Sequence, residues 1–346
     1  MKVFIFKPDG IGDFVLATGV IRKLADVYGE DQLMICVRSL VVPLAKAQFP
    51  KADILELPLL DKRKKLNLFL ANLIRATPPW ARMLTHRFEC SISLRHMREY
   101  LHTFMFFSSR ASRRVVCENL LLRNQQPTRL RVEKAAVFLR PTTVVEYPEE
   151  GAFIPLEFEA HRRVLTAVLG KEVSRSDVQP LLRANPERGD YLVCSPFSTL
   201  TSKDYPIAKW VWVLSAIPLE LRPPKVILSG AASQVEKLQE MVVLLKAAGF
   251  TDVQIEAGGD LQVFVNKVAG AKIVLTVDTA AAHIATALDR PAIILHSGLH
   301  YGMFGPWTAS ARQVWFGGER EDSRKWHQSL SAETVATEAS RLLRDA

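Results

Sequence analysis

The first nineteen residues constrain this chain more than any other stretch. Val3-Phe4-Ile5-Phe6 is a short apolar run with β-branched and aromatic members, bounded by Lys7-Pro8-Asp9-Gly10. It predicts a buried strand that ends in a tight turn. Gly10-Ile11-Gly12-Asp13 follows, and then Phe14-Val15-Leu16-Ala17-Thr18-Gly19-Val20-Ile21, apolar enough for a buried helix. Strand, glycine-rich turn and helix form the opening unit of a doubly wound α/β domain. Such domains bind ligands outside the carboxyl ends of their strands, where this turn sits. The glycines let the backbone approach a ligand closely, and Asp13 stands at the helix entry facing that crevice.

The turn matches neither common phosphate-binding pattern. Gly10 and Gly12 begin a dinucleotide fingerprint, but Val15 takes the place of its third glycine. The Gly-Lys-Ser/Thr of a P-loop is absent. Asp13 reads either as a helix cap, accepting backbone N–H bonds, or as a carboxylate presented to a ligand. Both readings stand at this point.

The alternation repeats along the chain. Residues 32–37, 53–57, 90–94 and 113–116 read as strands, and 41–48, 101–107 and 132–140 as helices. The second half offers strands at 191–194, 225–228, 254–255, 273–277 and 292–295, with helices at 210–217, 233–248, 261–269, 280–288 and 332–343. Intervals of about 25 residues between early strands suit βαβ crossovers. From about residue 141 to 185 the pattern weakens; Pro148, Gly151 and Pro155 mark turns and 161–169 reads as a short helix. The expected organisation is an N-terminal domain at 1–160, a linker at 161–185, a C-terminal domain at 186–325 and a terminal helical segment at 326–346. A length of 346 residues accommodates two domains of ordinary size.

Charge is uneven. Residues 61–140 carry 17 Lys or Arg against 5 Asp or Glu, while the whole chain stands at +9. So concentrated a basic block, interleaved with large apolar residues, points to an anionic partner. Asp61-Lys62-Arg63-Lys64-Lys65 beside the apolar 66–75 segment fits either a membrane-surface element or a solvated helix. No nucleic-acid reading motif accompanies the charge. No apolar run reaches a membrane span, and the N-terminus lacks a signal-peptide pattern. Cys36, Cys90, Cys117 and Cys194 lie far apart, as buried thiols of a cytoplasmic protein would.

Two further stretches carry candidate chemistry. Asp278-Thr279-Ala280-Ala281-Ala282-His283 follows an apolar strand and opens a helix. A helix N-terminus lined by alanines is a ready anion site; a capping Asp with a packed core His explains the same residues. Ser198-Thr199-Leu200-Thr201-Ser202-Lys203-Asp204-Tyr205-Pro206 also follows a strand, and its hydroxyls and ammonium suit a phosphate or diphosphate. In the first half, Arg95 and Arg98 emerge beyond the strand at 90–94, on the rim that holds Asp13.

Taken in order, these stretches resemble glycosyltransferase family 9, the bacterial heptosyltransferases of the lipopolysaccharide inner core. Ile5 to Asp13 is similar to the family's N-terminal Gly-Asp loop, and Ile92-Ser93-Leu94-Arg95 through Arg113-Arg114 to its next block. Ser198-Thr199 with Lys203, Tyr205 and Pro206 is similar to its donor loop, and Thr276 to His283 with Ala287, Leu288 and Pro291 to its C-terminal stretch. The resemblance implies a GT-B fold: two Rossmann-like doubly wound α/β domains facing a central cleft, the last helix packing back on the first. It implies inverting sugar transfer without a bound metal or resident cofactor, from a nucleotide-diphosphate sugar such as ADP-heptose. Asp13 takes the place of the general base and Lys203 of the diphosphate lysine. Gly12, Ser198, Thr199, Asp278, Thr279 and His283 fall at donor positions. Three places depart from the family pattern. His296-Ser297-Gly298 stands where Phe-Gly-Pro-Thr is usual, Gly230-Ala231-Ala232 lacks a following glutamate, and Ser93 replaces a common Asp.

The chemistry can be stated from the residues alone. Inverting transfer needs a base for the acceptor hydroxyl and positive charge or aligned dipoles for the departing diphosphate. Asp13 can supply the first; Lys203 and the helix start at Asp278-Thr279 can supply the second. Arg63, Lys64, Arg95 and Arg98 would hold an anionic glycolipid or glycan acceptor. The expected setting is the cytoplasm, with peripheral contact at the inner membrane and no nucleic-acid partner. The rival is a non-catalytic module of the same fold that docks on anionic membrane or polysaccharide.

Overall fold

The computed structural model describes residues 2–57, 74, 77–95, 105–118, 141–146, 156–298, 302–308, 310–317 and 326–345. The chain divides into two compact units, Met1–Pro180 and Leu181–Ala346. The basic residues Arg63, Lys64 and Arg98, and the expected helix at 132–140, lie outside the described residues.

The first unit runs β1 (Val3–Lys7), α1 (Ile11–Tyr28), β2 (Leu33–Arg38), α2 (Val42–Gln48), β3 (Asp53–Leu57), β4 (Phe88–Ser93), β5 (Ala111–Glu118), β6 (Thr143–Glu146) and α3 (Leu156–Leu169). Its sheet is parallel throughout, in the order β3-β2-β1-β4-β5-β6. All five residues of β1 are buried, as a central parallel strand covered on both faces requires. One core centres on Phe4, Phe6, Phe88 and Phe106, with the Phe4 and Phe88 rings 5.4 Å apart. Helix α1 buries an unbroken run from Phe14 to Ile21.

Residues 161–180, expected as linker, belong to this first unit. A Cβ at Gly19 would lie 2.2 Å from the Val178 carbonyl oxygen. Helix α1 therefore passes the 3₁₀ turn Ser176–Val178 at a distance only glycine permits. Lys23 pairs with Asp177 at 2.6 Å beside it. Helix α3 also begins five residues earlier than its apolar pattern suggested, because its first turn interleaves the buried acids Glu157 and Glu159 with the buried Phe158 and so breaks the apolar pattern.

The second unit runs β7 (Tyr191–Ser195), α4 (Ile207–Ala216), β8 (Lys225–Gly230), α5 (Val235–Ala247), β9 (Asp252–Ala257), α6 (Leu261–Gly270), β10 (Ile273–Val277), α7 (Ala280–Ala287), β11 (Ala292–His296), β12 (Gln313–Gly317), α8 (Trp326–Ser329) and α9 (Ala332–Arg344). Its sheet, also parallel, has the order β12-β11-β10-β7-β8-β9. Numbered from its own first strand, this is the order of the first unit. In each sheet the order reverses beside the first strand, between β1 and β4 and between β7 and β10. These are the switch points where doubly wound domains place their ligands.

Helix α9 buries Val335, Ala336, Ala339 and Leu342 in the core of the second unit, with Trp210 and Trp326. The apolar stripe of α9 fills its own unit's core. No helix among the described residues is long and apolar enough to cross a membrane.

Candidate functional site

Each switch point carries a cluster of charged side chains. In the first unit Lys7 ends β1 fully buried. Its Nζ donates to Leu94 O, just past β4, at 2.8 Å and to Glu157 Oε1 on α3 at 3.0 Å. Asp9 Oδ2 lies 3.2 Å away, and Arg95 Nε meets Asp9 Oδ1 at 2.6 Å. One turn along α3, His161 Nε2 lies 3.4 Å from Glu157 Oε1. Burial by itself would lower the Lys7 pKa; the carboxylates of Asp9, Glu157 and Asp13 outweigh it and raise the value. Lys7 therefore stays charged and ties β1, β4 and α3 together beneath the turn.

Asp13 sits above this network. It does not occupy the N-cap of α1, which is Gly10. It is the third helical residue, and its Oδ2 accepts the Gly10 N–H at 3.1 Å. The capping reading is thus half right: one oxygen closes the helix start, and Oδ1 has no partner among the described residues. Burial raises the Asp13 pKa above the ordinary carboxylate value; Lys7 opposes this, and Asp9 and Glu157 reinforce it. A carboxylate with a raised proton affinity suits general-base chemistry near neutral pH. Gly12 lies in the same first turn of α1. Arg95, an expected acceptor contact, spends its Nε on Asp9.

In the second unit the loop after β7 is braced from several sides. The Ser198 N–H donates to Asp204 Oδ1 at 2.7 Å, and Gln234 Nε2 donates to Ser198 O at 2.9 Å. Ser195 and Ser229, at neighbouring strand ends, pair through their hydroxyls. Thr199 is exposed on the loop, and Ser198 is half-buried. Lys203 closes the 3₁₀ turn Thr201–Lys203 and is buried. On either side of it, Ser202 O accepts the Trp326 indole N–H at 3.0 Å and Tyr205 Oη donates to Leu330 O at 3.0 Å. Burial pushes the Tyr205 hydroxyl up to about 12, so it remains a donor.

This bracing delivers the Lys203 ammonium to Asp278, 75 residues away, at 2.5 Å from Oδ2. The N-cap of α7 is Thr279, not Asp278, and its hydroxyl lies 3.2 Å from that of Thr276. His283 Nε2 lies 4.0 Å from Asp278 Oδ1, and His296 Nε2 3.3 Å from Oδ2. Burial alone would raise the Asp278 pKa; His296, Lys203 and His283 outweigh it and hold the carboxyl below its ordinary value. Burial keeps His283 below the usual imidazole range, against the pull of Asp278. Asp278 takes one Lys203 N–H; the other two have no partner among the described residues. Nor do the buried Ser297 Oγ and His283 Nδ1. An ammonium with free donors, hydroxyls and a helix N-terminus together make an anion site.

Of the residues expected from sequence, Lys203, Asp278 and His283 converge with Thr279 beside them, and Asp13 occupies the matching position of the first unit. Lys7, Asp9, Glu157, His161 and His296 were not singled out as functional. Lys7 had read only as the edge of a turn, and Glu157 lay in a stretch of weak pattern.

A model of glycosyltransferase family 9 (heptosyltransferase) matches residues 158–334. The chain belongs to this family. Lipopolysaccharide heptosyltransferase 1 of Escherichia coli (strain K12) is 28% identical over 122 residues, 34% of this chain and 35% of that protein. The alignment thus spans about a third of the relative's length. The structure of E. coli heptosyltransferase WaaC with ADP superposes with a TM-score of 0.72 at 17% identity, covering 99% of this chain and 100% of that one. A glycosyltransferase of family 9 from Veillonella parvula DSM 2008 gives 0.73 at 14% identity, covering 100% and 98%. At these identities the structures establish the fold, which is GT-B. The family match spans the whole Lys203–Asp278 cluster and reaches the first unit only at residues 158–180.

Proposed function

We propose that this family 9 chain is an inverting glycosyltransferase that moves a sugar, heptose from ADP-heptose, onto an anionic lipopolysaccharide-core or related glycan. One observation carries the reading. Equivalent switch points of two like-ordered sheets hold complementary chemistry: a carboxylate of raised pKa in one, an ammonium beside a helix N-terminus in the other. Asp13 Oδ1 takes the proton of the acceptor hydroxyl as its oxygen attacks the anomeric carbon. Lys203, the start of α7 and the hydroxyls of Ser198, Thr199 and Thr279 receive the diphosphate as the bond to the sugar breaks. The ADP held by WaaC supports an adenine-linked donor. Arg63, Lys64, Arg95 and Arg98 meet the acceptor's anionic groups, and the basic segment places the enzyme on the cytoplasmic face of the inner membrane.

The experiment compares the wild type with Asp13→Asn and Lys203→Ala, measuring transfer and nucleotide affinity, with transfer also assayed in EDTA. Asp13→Asn is expected to lose at least about a hundredfold in kcat while binding ADP like the wild type. Lys203→Ala is expected to weaken ADP about tenfold or more, and chelation to leave transfer intact. Normal turnover in Asp13→Asn sinks the base assignment. Loss of transfer in EDTA, restored by a divalent ion, sinks the metal-free mechanism. A wild type that binds no ADP, UDP, GDP or CMP sugar points to the non-catalytic module.

A further inference from the structure

We infer that His296 is a positioning residue for the Asp278–Lys203 pair, sharing the carboxylate and so setting how much of the Lys203 charge is left for a bound diphosphate. The inference rests on the reading of this cluster as a nucleotide-diphosphate site. It concerns the loop where this chain departs from the family pattern.

The backbone brings the two residues side by side. The Asp278 N–H donates to Leu295 O at 2.9 Å, the residue before His296, so the ends of β10 and β11 carry Asp278 and His296 as neighbours. His296 is fully buried. Its Nδ1 accepts the Gly298 N–H at 2.9 Å, which places the ring hydrogen on Nε2. That nitrogen faces Asp278 Oδ2 at 3.3 Å, the same oxygen that Lys203 holds at 2.5 Å. Trp315 on β12 packs 6.4 Å from the imidazole, centroid to centroid. Bond and packing together fix the ring's direction. The other titratable group at the carboxylate is His283, 4.0 Å from Oδ1.

An Asp278 oxygen with an imidazole nitrogen at 3.3 Å and an ammonium at 2.5 Å has its charge shared between them, the imidazole acting by electrostatic proximity and the ammonium by its hydrogen bond. With His296 in place, part of the Asp278 charge is met by the ring, and the ammonium can turn its remaining N–H groups to an anion. With the imidazole removed, that oxygen rests on Lys203 alone. The pair tightens and its negative end faces the diphosphate less well compensated, an effect that a low-dielectric interior enlarges. His296 itself is sealed from solvent, so it acts through Lys203 rather than by touching the ligand.

The test is calorimetric titration of ADP and of adenosine into the wild type, H296N and H296Q. Asparagine keeps an acceptor for the Gly298 N–H but cannot reach Asp278; glutamine reaches Asp278. H296N is expected to weaken ADP roughly fivefold or more with adenosine affinity unchanged, and H296Q to recover most of the loss. ADP affinity unchanged in H296N, equal losses for ADP and adenosine, or H296Q no better than H296N overturns the inference. Should H296N fail to fold, ring ¹⁵N spectra of the wild type decide. An Nε2–H tautomer that shifts on adding ADP supports it; an Nδ1–H tautomer, or a signal indifferent to ADP, overturns it. A wild type that binds adenosine but gains nothing from the diphosphate overturns the nucleotide-diphosphate reading itself, and this inference with it.

Discussion

Asp13 is asked to do what folding resists. Its pKa is raised, by burial first, so the native state holds this proton more tightly than the unfolded chain does. Between the ordinary carboxylate value and the raised one, the folded protein binds more protons, and stability falls as pH climbs through that window. Asp13→Asn removes the charge and keeps an acceptor for the Gly10 N–H. It is expected to melt a few degrees above the wild type at pH 8 and level with it below about pH 4, where both forms are uncharged. Thermal scans at the two pH values check this; a melting point at pH 8 equal to or below that of the wild type removes the buried-base argument. Asp13 was legible in the sequence because glycines flank it in a recognisable turn. Its supports were not. Glu157 reaches Lys7 across 150 positions, and no spacing rule links a strand-end lysine to an acid that far along. The Lys203–Asp278 contact was equally silent as a pair, although each half was visible by its own loop. His296 stood out only as a departure, and its partner appears once β10 and β11 lie side by side.

The elements that place Lys203 are aromatic. Trp326 on α8 is fully buried, holds Ser202 O and lies 5.7 Å from the Tyr205 ring, which packs 5.4 Å from Trp210 on α4. The turn carrying Lys203 is thus braced by α8 and by the core that α9 helps to fill. Trp326→Ala is expected to cost about 3–5 kcal/mol of stability and to weaken ADP binding, because Ser202 loses its donor one residue from Lys203. Tyr205→Phe, which removes only the hydrogen bond to Leu330 O, is expected to cost about 1 kcal/mol. Denaturant melts and ADP titration of both variants, at a temperature where both are folded, test the brace; wild-type ADP affinity in Trp326→Ala breaks the link between α8 and the ammonium. At this scale the sequence was most readable where strands are buried on both faces. β1 and β10 each carry four apolar residues out of five and are buried throughout, and little else can be made of them. The edge strands β6 and β12 escaped notice. They are short and only partly buried, so neither alternation nor a long apolar run announces them. The terminal helix was found by its apolar stripe, but a stripe does not say which core it fills.

Charge belongs to the molecule as a whole. A formal +9, with 17 of 45 Lys and Arg inside residues 61–140, makes long-range attraction to anionic surfaces a property no single side chain carries. If the acceptor is a membrane glycolipid, the field that gathers the enzyme at the membrane must be screened by salt, since the Debye length contracts from about 10 Å at 0.1 M to about 3 Å at 1 M. The protein is expected to sediment with phosphatidylglycerol-containing vesicles at about 50 mM salt, to be released by about 0.5 M, and to ignore phosphatidylcholine vesicles at both. Replacing Lys62, Arg63, Lys64 and Lys65 with glutamate is expected to abolish the sedimentation while leaving ADP affinity in place, because the nucleotide cluster is built entirely from residues beyond 181. Sedimentation indifferent to salt assigns the contact to apolar insertion of the neighbouring 66–75 segment instead. No sedimentation at low salt removes the membrane from the reading and leaves a basic surface that recognises only the acceptor's own phosphates or carboxylates. A common loss of ADP affinity in the charge-reversed variant points to damage beyond the field itself.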